Sequence, residues 1–370
     1  MYSKELESIK KSNRFRTREL FDDNLIDLAS NDYLGLSTNK TLFQNTYETL
    51  LKDNYHSPKA SMLVNGYSKI HKKFEDRLCE VNDFEAGVIV GSGFLANISM
   101  IEALCRKNDT LFIDEEYHAS GILATKLLKP EQVIVFNHND FKDLEKKISA
   151  NQRTGRNIIA IEGVYSMGGD LAPIEIFQIA DEKKAILIVD EAHSFGVIGD
   201  NLLGIFDYYK IKPTPYHVKM GTLGKAYGSY GAYILASKQI IEFLTNRAKP
   251  IIYSTAPSLF DTALANESLD YIIENKDLLK EKNPTTNFAH EFFGLNVIEN
   301  NSNKIIGKVS ELINFPANDV LQIDCGDKYL NLPYVDEFIK SIDLDNKVIK
   351  VVLPNSYEDL MESKWVSWLE

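Results

Sequence analysis

Short apolar runs alternate with longer amphipathic stretches through the middle of the chain. GVIVGS (87–92) precedes FLANISMIEALC, TLFID (110–114) precedes HASGILATKLL, and QVIVF (132–136) precedes DFKDLEKKI. NIIAIEG (157–163) is followed by IEIFQIADEKK and then by AILIVDEAH (185–193). Strand-like runs alternating with helical periodicity predict right-handed crossovers and a mostly parallel sheet. The runs are apolar at successive positions rather than at every second one, as strands covered on both faces should be. The expected fold class is α/β, with a large domain of mostly parallel sheet flanked by helices.

In such a sheet, ligands collect at the carboxyl ends of the strands. Five of those ends carry polar or glycine chemistry: Gly91-Ser92-Gly93, Asp114 to His118, Glu162 to Ser166, Asp190 to His193, and Gly221 to Lys225. This is the pattern of one site assembled from many loops. After Ser254-Thr255-Ala256-Pro257 the character changes to a charged helical stretch over 260–295, and the remainder reads as a small α+β domain. The expected divisions are an N-terminal segment 1–40, a large domain 41–250 and a small C-terminal domain 251–370.

Charge and cysteine content narrow the possible partners. The 370 residues carry 41 basic against 53 acidic side chains, a formal charge of −12. That argues against nucleic acid, because phosphate contacts need a basic face. Cys79, Cys105 and Cys325 stand too far apart for a metal or redox pair and suit a reducing compartment. The opening MYSKELESIKKSNRFRTREL lacks the apolar core of a signal peptide, and no apolar run is long enough to span a bilayer. These features lead to the expectation of a cytoplasmic protein with no membrane partner.

The candidate chemistry centres on GTLGKAYGSYGA (221–232), where Lys225 sits among glycines between the strand-like YHVKM and GAYILA. A lysine that holds an aldehyde cofactor must lose its proton easily, and desolvation or nearby positive charge lowers its pKa. The plainer alternative is a solvated lysine in a glycine-rich turn. The spacing is not that of a P-loop, and no Ser or Thr follows the lysine. In VDEAHSFG (189–196), Asp190 ends an apolar strand where a buried carboxylate could pair with a protonated pyridine nitrogen. It could instead cap a turn. A helicase-type reading of DEAH fails for want of a P-loop upstream. His193, three residues on, could meet a phenolic oxygen.

GSGFLAN (91–97) opens a helix with glycines, so its amides could cradle a phosphate. It also fits G-x-G-x-x-A, the basis of a nicotinamide-dependent alternative. No isolated acidic ribose partner ends the next strand, because Asp114 runs directly into Glu115, Glu116, Tyr117 and His118. His118 could stack on a pyridine face or be a structural histidine. Ser166 sits in EGVYSMGGDLAP (162–173), whose glycines also fit a simple turn.

Taken together, these segments resemble the α-oxoamine synthase family of fold-type-I pyridoxal-phosphate enzymes. The resemblance runs from about residue 6 to about residue 260. It rests on SNDYLGL (30–36), HSPKASMLVNGYSKIHKKFE (56–75), GSGFLAN, HASG, EGVYSMGGD, VDEAHSFGVIG, GTLGKAYGSYGA and YSTAP (253–257) in matching order and spacing. The resemblance implies pyridoxal 5'-phosphate held by Lys225 as a Schiff base, with Asp190 at the ring nitrogen. His193 and Ser166 would lie around the phenolic oxygen, with His118 stacked on the ring. It implies a phosphate site from the backbone at Gly93 and Phe94 with the Thr222 hydroxyl. Thr255 would be contributed to a partner subunit in a homodimer. Asn31, and one of Arg14 and Arg16, would lie near substrate. The implied reaction condenses an amino acid with an acyl thioester carried by coenzyme A or by a carrier protein.

The sequence departs from the family at its end. No arginine follows Arg247, and the R-P-P-T-like stretch is missing. KVIKVVLPNSYEDL (347–360) aligns best with the strand that bears the family's carboxylate-binding arginine, which would put Lys350 in that role. Lysine is a point charge without the planar fork, so it cannot reproduce a bidentate contact. A third possibility is therefore a non-catalytic protein of the same fold.

Overall fold

The structure is a computed structural model. It describes residues 1–22, 29–282, 292–300, 302–313, 319–335, 337–344, 346–353 and 361–363. Met1–Asn31 forms one compact unit and Asp32–Glu370 a second. The first unit holds the helix Ser3–Lys11, which buries no side chain, and carries Arg14 and Arg16 as exposed residues.

In the second unit the expected α/β layer is present. Its strands are β1 (Ala86–Val90), β2 (Thr110–Asp114), β3 (Val133–Phe136), β4 (Asn157–Glu162), β5 (Ile186–Asp190), β6 (His217–Thr222) and β7 (Ala232–Ala236). They form one sheet in the order β1-β7-β6-β5-β4-β2-β3. The pairs from β6 through β5, β4 and β2 to β3 are parallel, while β7 runs antiparallel to both of its neighbours. The sheet is therefore mixed, with one reversed strand inserted next to the edge.

Side-chain alternation explains why the runs are apolar throughout. Ile89, Phe112, Ile159, Ile161, Leu187 and Val189 point into the core on one face. Their chain neighbours Val88, Val90, Leu111, Ile113, Ile158, Ala160, Ile186 and Ile188 fill the core on the other. A strand has period two, so only a sheet covered on both sides demands apolar residues at every position. Phe112 is fully buried; truncating it to alanine would cost about 3–5 kcal/mol through lost burial and the cavity left behind.

Beyond this layer the structure departs from the α+β expectation. Residues 292–363 contain the strands β8 (Asn296–Glu299), β9 (Ile305–Ile313), β10 (Val320–Asp324), β11 (Lys328–Pro333), β12 (Ile339–Asp343), β13 (Val348–Val351) and β14 (Met361–Ser363). They form a second sheet, β12-β13-β8-β9-β10-β11-β14, antiparallel except for the β13–β8 pair. It encloses its own core of Val297, Val309, Leu321, Ile323, Leu330, Leu332, Ile349 and Val351. The β10–β11 hairpin turns at Gly326, whose φ of +97° is open only to glycine. The Gly326 amide donates to Asp324 Oδ1 at 2.9 Å.

The helices that suggested a mixed small domain belong elsewhere. Helix Leu259–Glu274 buries Ala265, Leu269 and Ile272 in the core of the first sheet, and Leu279 joins them. The cores therefore divide after this helix rather than at the expected position 250. Residues 292–363 are β-rich because their buried positions recur with period two.

Candidate active site

Strands β1, β2, β4, β5 and β6 all end on one edge of the first sheet. Their C-terminal loops meet around a cavity of about 180 Å³. It is lined by Gly93, Phe94, Asn97, His118, Ser120, Glu162, Asp190, Ala192, His193, Met220, Thr222 and Lys225. The sequence-predicted Gly93, Phe94, His118, Asp190, His193, Thr222 and Lys225 thus come together from separate segments of chain.

Lys225 follows β6 in the glycine-rich loop, partly withdrawn from water. Desolvation lowers its ammonium pKa, and the Asp190 and Glu162 carboxylates only partly oppose this. Its Nζ lies 2.5 Å from His193 Nε2. The other ring nitrogen, Nδ1, is 2.6 Å from the Tyr33 hydroxyl. Burial, reinforced by the positive charge of Lys225, holds His193 down to about 4, so the imidazole is neutral. Burial also raises the Tyr33 phenol to about 12, so it keeps its proton. A His193 proton on Nδ1 is donated to the Tyr33 oxygen and leaves Nε2 to accept from Lys225, whereas a proton on Nε2 reverses both bonds. Either way the three groups form a continuous hydrogen-bonded chain ending at Nζ.

Asp190 ends β5 and is buried. Its Oδ2 accepts from Asn97 Nδ2 at 2.9 Å, and its Oδ1 accepts from the Ala192 amide at 3.0 Å. Burial pushes its carboxyl up, while Asn97, the Ala192 amide and Lys225 hold it down. Asn97 also donates to Ser120 Oγ at 2.9 Å and accepts from the Tyr117 hydroxyl at 2.7 Å. Ser120 in turn lies 2.7 Å from His118 Nδ1, which also receives the Ser120 amide at 3.2 Å. That pattern makes Nδ1 the acceptor and leaves the ring proton of His118 on Nε2.

The phosphate-type cradle is the start of helix Gly93–Leu104. The Ser92 side chain caps the Leu95 amide at 3.3 Å, and the Gly93 and Phe94 amides have no intrahelical acceptor. With its positive dipole end, such a terminus suits an anion. Thr222, which also lines the cavity, accepts the Gly224 amide at 3.4 Å. The residue set fits a pyridine aldehyde phosphate: a deprotonatable lysine for the aldehyde, a buried carboxylate for the ring nitrogen, and a helix terminus for the phosphate. Glu162 Oε1 faces this set without a hydrogen-bond partner among the described residues.

The remaining predicted residues lie elsewhere. Ser166 is exposed and does not line the cavity, though its amide donates to Glu162 Oε2 at 3.3 Å. Thr255 is also exposed and pairs through an isolated bridge with Ser61. Arg14, Arg16 and Asn31 fall in the Met1–Asn31 unit. Lys350 lies on β13 of the second sheet, where it lines a different cavity with Ile298, Ser341 and Asp343. Lys350 thus belongs to a strand of a separate β-sheet core and is not among the residues lining the Lys225 cavity, and residues 354–360 of the 347–360 stretch lie outside the described residues.

Sequence reasoning gave no role to Tyr33, Asn97 or Ser120, and placed Glu162 only as the start of one strand-end cluster. Tyr33 and Asn97 were visible inside SNDYLGL and GSGFLAN, but nothing in their spacing says they reach His193 and Asp190.

The fold and cavity define a lysine–aspartate cofactor site at the carboxyl edge of a sheet of aminotransferase type. The family model described as aminotransferase class I and II matches residues 23–305. The chain belongs to that family. A second model, the RimM PRC barrel domain, matches residues 289–357, the region of the second sheet.

The chain is 53% identical over 283 residues to an 8-amino-7-oxononanoate synthase of Helicobacter pylori strain J99, covering 76% of each protein. It is 38% identical over 278 residues to a putative 8-amino-7-oxononanoate synthase of Aquifex aeolicus, covering 75% of this chain and 73% of that protein. Among solved structures, the 8-amino-7-oxononanoate synthase of Francisella tularensis matches with a TM-score of 0.55 and 28% identity, covering 69% of this chain and 71% of that one. A serine palmitoyltransferase from S. paucimobilis, solved with a bound PLP–myriocin aldimine, shares the fold at a TM-score of 0.67 and 22% identity, covering 75% of this chain and 72% of that one.

Proposed function

We propose that this chain is a pyridoxal 5'-phosphate-dependent acyltransferase. It would condense L-alanine with a pimeloyl thioester, with loss of carbon dioxide, to give 8-amino-7-oxononanoate for biotin biosynthesis. The observation that carries the reading is Lys225 and Asp190 lining one cavity, with His193 Nε2 at 2.5 Å from the lysine nitrogen. The Helicobacter relative's name supplies the particular reaction.

The bound cofactor would supply an electron sink for a carbanion at the amino-acid α-carbon. The protein supplies the rest. Asp190 keeps a proton on the ring nitrogen. Lys225 would hold the aldehyde, and its Nζ would take the α-proton of the amino acid and later return a proton to the same carbon. His193, backed by Tyr33, would position that nitrogen. The Gly93 and Phe94 amides with Thr222 would hold the phosphate, and His118 would pack against the ring. Thr255 is assigned to the phosphate of a second subunit, Ser166 to the phenolic oxygen, and Asn31 with Arg14 or Arg16 to the substrates; the enzyme would be a homodimer. No helix among the described residues is long and apolar enough to cross a membrane.

The test is a purified protein that shows a cofactor absorbance band, loses it on borohydride reduction and yields pyridoxyl-lysine at position 225. Lys225→Ala should lose the band and the product together. Alanine with pimeloyl thioester should give product. Product from glycine and an acetyl thioester instead would assign a 2-amino-3-ketobutyrate ligase, and an untrapped chromophore would overturn the lysine assignment. One observation favours a second reading, a cofactor-binding protein that does not complete the condensation. No arginine follows Arg247, and Lys350 lies on the second sheet. Trapped cofactor without any amino ketone from any amino acid would establish it.

A further inference from the structure

Glu162 ends β4 at the same cavity and is only 2% exposed. Its Oε2 accepts the Ser166 amide at 3.3 Å, whereas the buried Oε1 meets no hydrogen-bond partner among the described residues. The β4–β5 register sets Glu162 directly beside Asp190. Two buried carboxyls side by side in one cavity resist ionising together. Their surroundings decide which one does. Asp190 receives the Asn97 amide group on one oxygen and the Ala192 amide on the other, so it is equipped to stay charged. Glu162 accepts one long bond from the Ser166 amide and has only the lesser influence of the His118 amide besides.

We infer that Glu162 carries the proton of this pair and is a second acid of the site, donating from its carboxyl to an oxygen of the ligand that fills the cavity. Burial first, and then the Asp190 charge, push its carboxyl up to about 8. The Ser166 and His118 amides and the Lys225 charge oppose this and are outweighed. His118 and Lys225 line the same cavity. The other titratable groups around the pair are His193, already neutral, and Tyr117 and Tyr165, both pushed above the ordinary phenol range by burial. A neutral glutamic acid here leaves a single negative charge, on Asp190, to balance the ring nitrogen. It also presents a donor where a carboxylate would repel an anionic oxygen.

This inference rests on the cofactor reading above, and the experiment separates the two. The absorbance of the Lys225-linked cofactor in the holoenzyme is followed from about pH 6 to about pH 9, bracketing the value near 8, for wild type and Glu162→Gln. Glutamine mimics the neutral acid, so the two spectra should coincide at the acid end. Only the wild type should show a further step near pH 8. A Glu162→Gln spectrum that already differs at the acid end, or a step that persists in the variant, would overturn the assignment, because a charge would then have been removed or the step would belong elsewhere. Infrared spectra of ¹³C-glutamate-labelled protein give a readout independent of the cofactor: a protonated-carboxyl C=O stretch at neutral pH, lost in Glu162→Gln or shifted in Glu162→Asp. Glu75, the other buried glutamate pushed up, to about 7, is separated by Glu75→Gln. Absence of a Glu162 band would sink the inference, while absence of any borohydride-trapped cofactor would sink the reading beneath it.

Discussion

Replacing Asn97 with leucine would test whether one buried amide sets the charge state of the cofactor's acid partner. Leucine keeps the volume but removes the donor 2.9 Å from Asp190 Oδ2, the donor to Ser120 and the acceptor for the Tyr117 hydroxyl. A hydrogen bond to a charged group contributes about 1.5–3 kcal/mol, and a buried hydroxyl left unpaired costs about 1–3 kcal/mol. The first term acts only on ionised Asp190. At about 1.36 kcal/mol per unit it would raise that carboxyl by about 1–2 units.

Asp190 already lies above its ordinary value through burial. A carboxyl with a raised folded pKa contributes stability at low pH that is lost as pH climbs from the unfolded value through the folded one. Raising it further adds a deficit that is absent below the wild-type folded pKa and complete above the variant's. Urea unfolding of the cofactor-free protein over a series of pH values should therefore show an Asn97→Leu penalty that grows as pH rises through the Asp190 titration. The penalties on the two sides of that titration should differ by about 1.5–3 kcal/mol over a pH-independent cost from Tyr117. A penalty constant across the whole series would refute the reasoning, because Asn97 would then be packing rather than holding a charge.

The same geometry carries three more expectations. Tyr33→Phe removes the hydrogen bond to His193 Nδ1 at 2.6 Å. It should lower kcat about fivefold, the worth of about 1 kcal/mol, with little change in melting temperature; unchanged steady-state rates would show that Tyr33 does not act on Lys225 through His193. Lys350→Ala, on the second sheet, should leave kcat/KM for the amino acid within about twofold of wild type, the usual range for a surface change; a large rise in KM would restore lysine as the carboxylate ligand. His138 bridges Asp114 at 2.9 Å and Asp170 at 2.8 Å through its two ring nitrogens, which calls for the doubly protonated ring. Burial opposes that charge but the two carboxylates prevail, so its pKa is raised. A raised histidine contributes stability present below the unfolded value and lost as pH rises through the folded one. His138→Gln should therefore destabilise the protein more in mildly acid than in alkaline buffer, by thermal melts, and a pH-independent loss would contradict the bridge.

The α/β layer was legible in the chain because strands covered on both faces leave a plain record: Ile159 and Ile158 are apolar for opposite faces of one sheet. The strand-end rule then located Asp190, His193 and Lys225 without coordinates, since crossover topology sends every parallel strand's carboxyl end to one edge. Three things needed tertiary structure. The antiparallel placement of β7 beside β1 depends on long-range pairing, which local pattern does not encode. The polar web of Tyr33, Asn97 and Ser120 depends on side chains from distant loops meeting at hydrogen-bond distance. The separation of Lys350 from the cavity turned on which core its strand joins, and a period-two run around Ile349 and Val351 reads alike in either sheet. Sequence thus determines which positions avoid water, whereas only packing decides which neighbours they avoid it with.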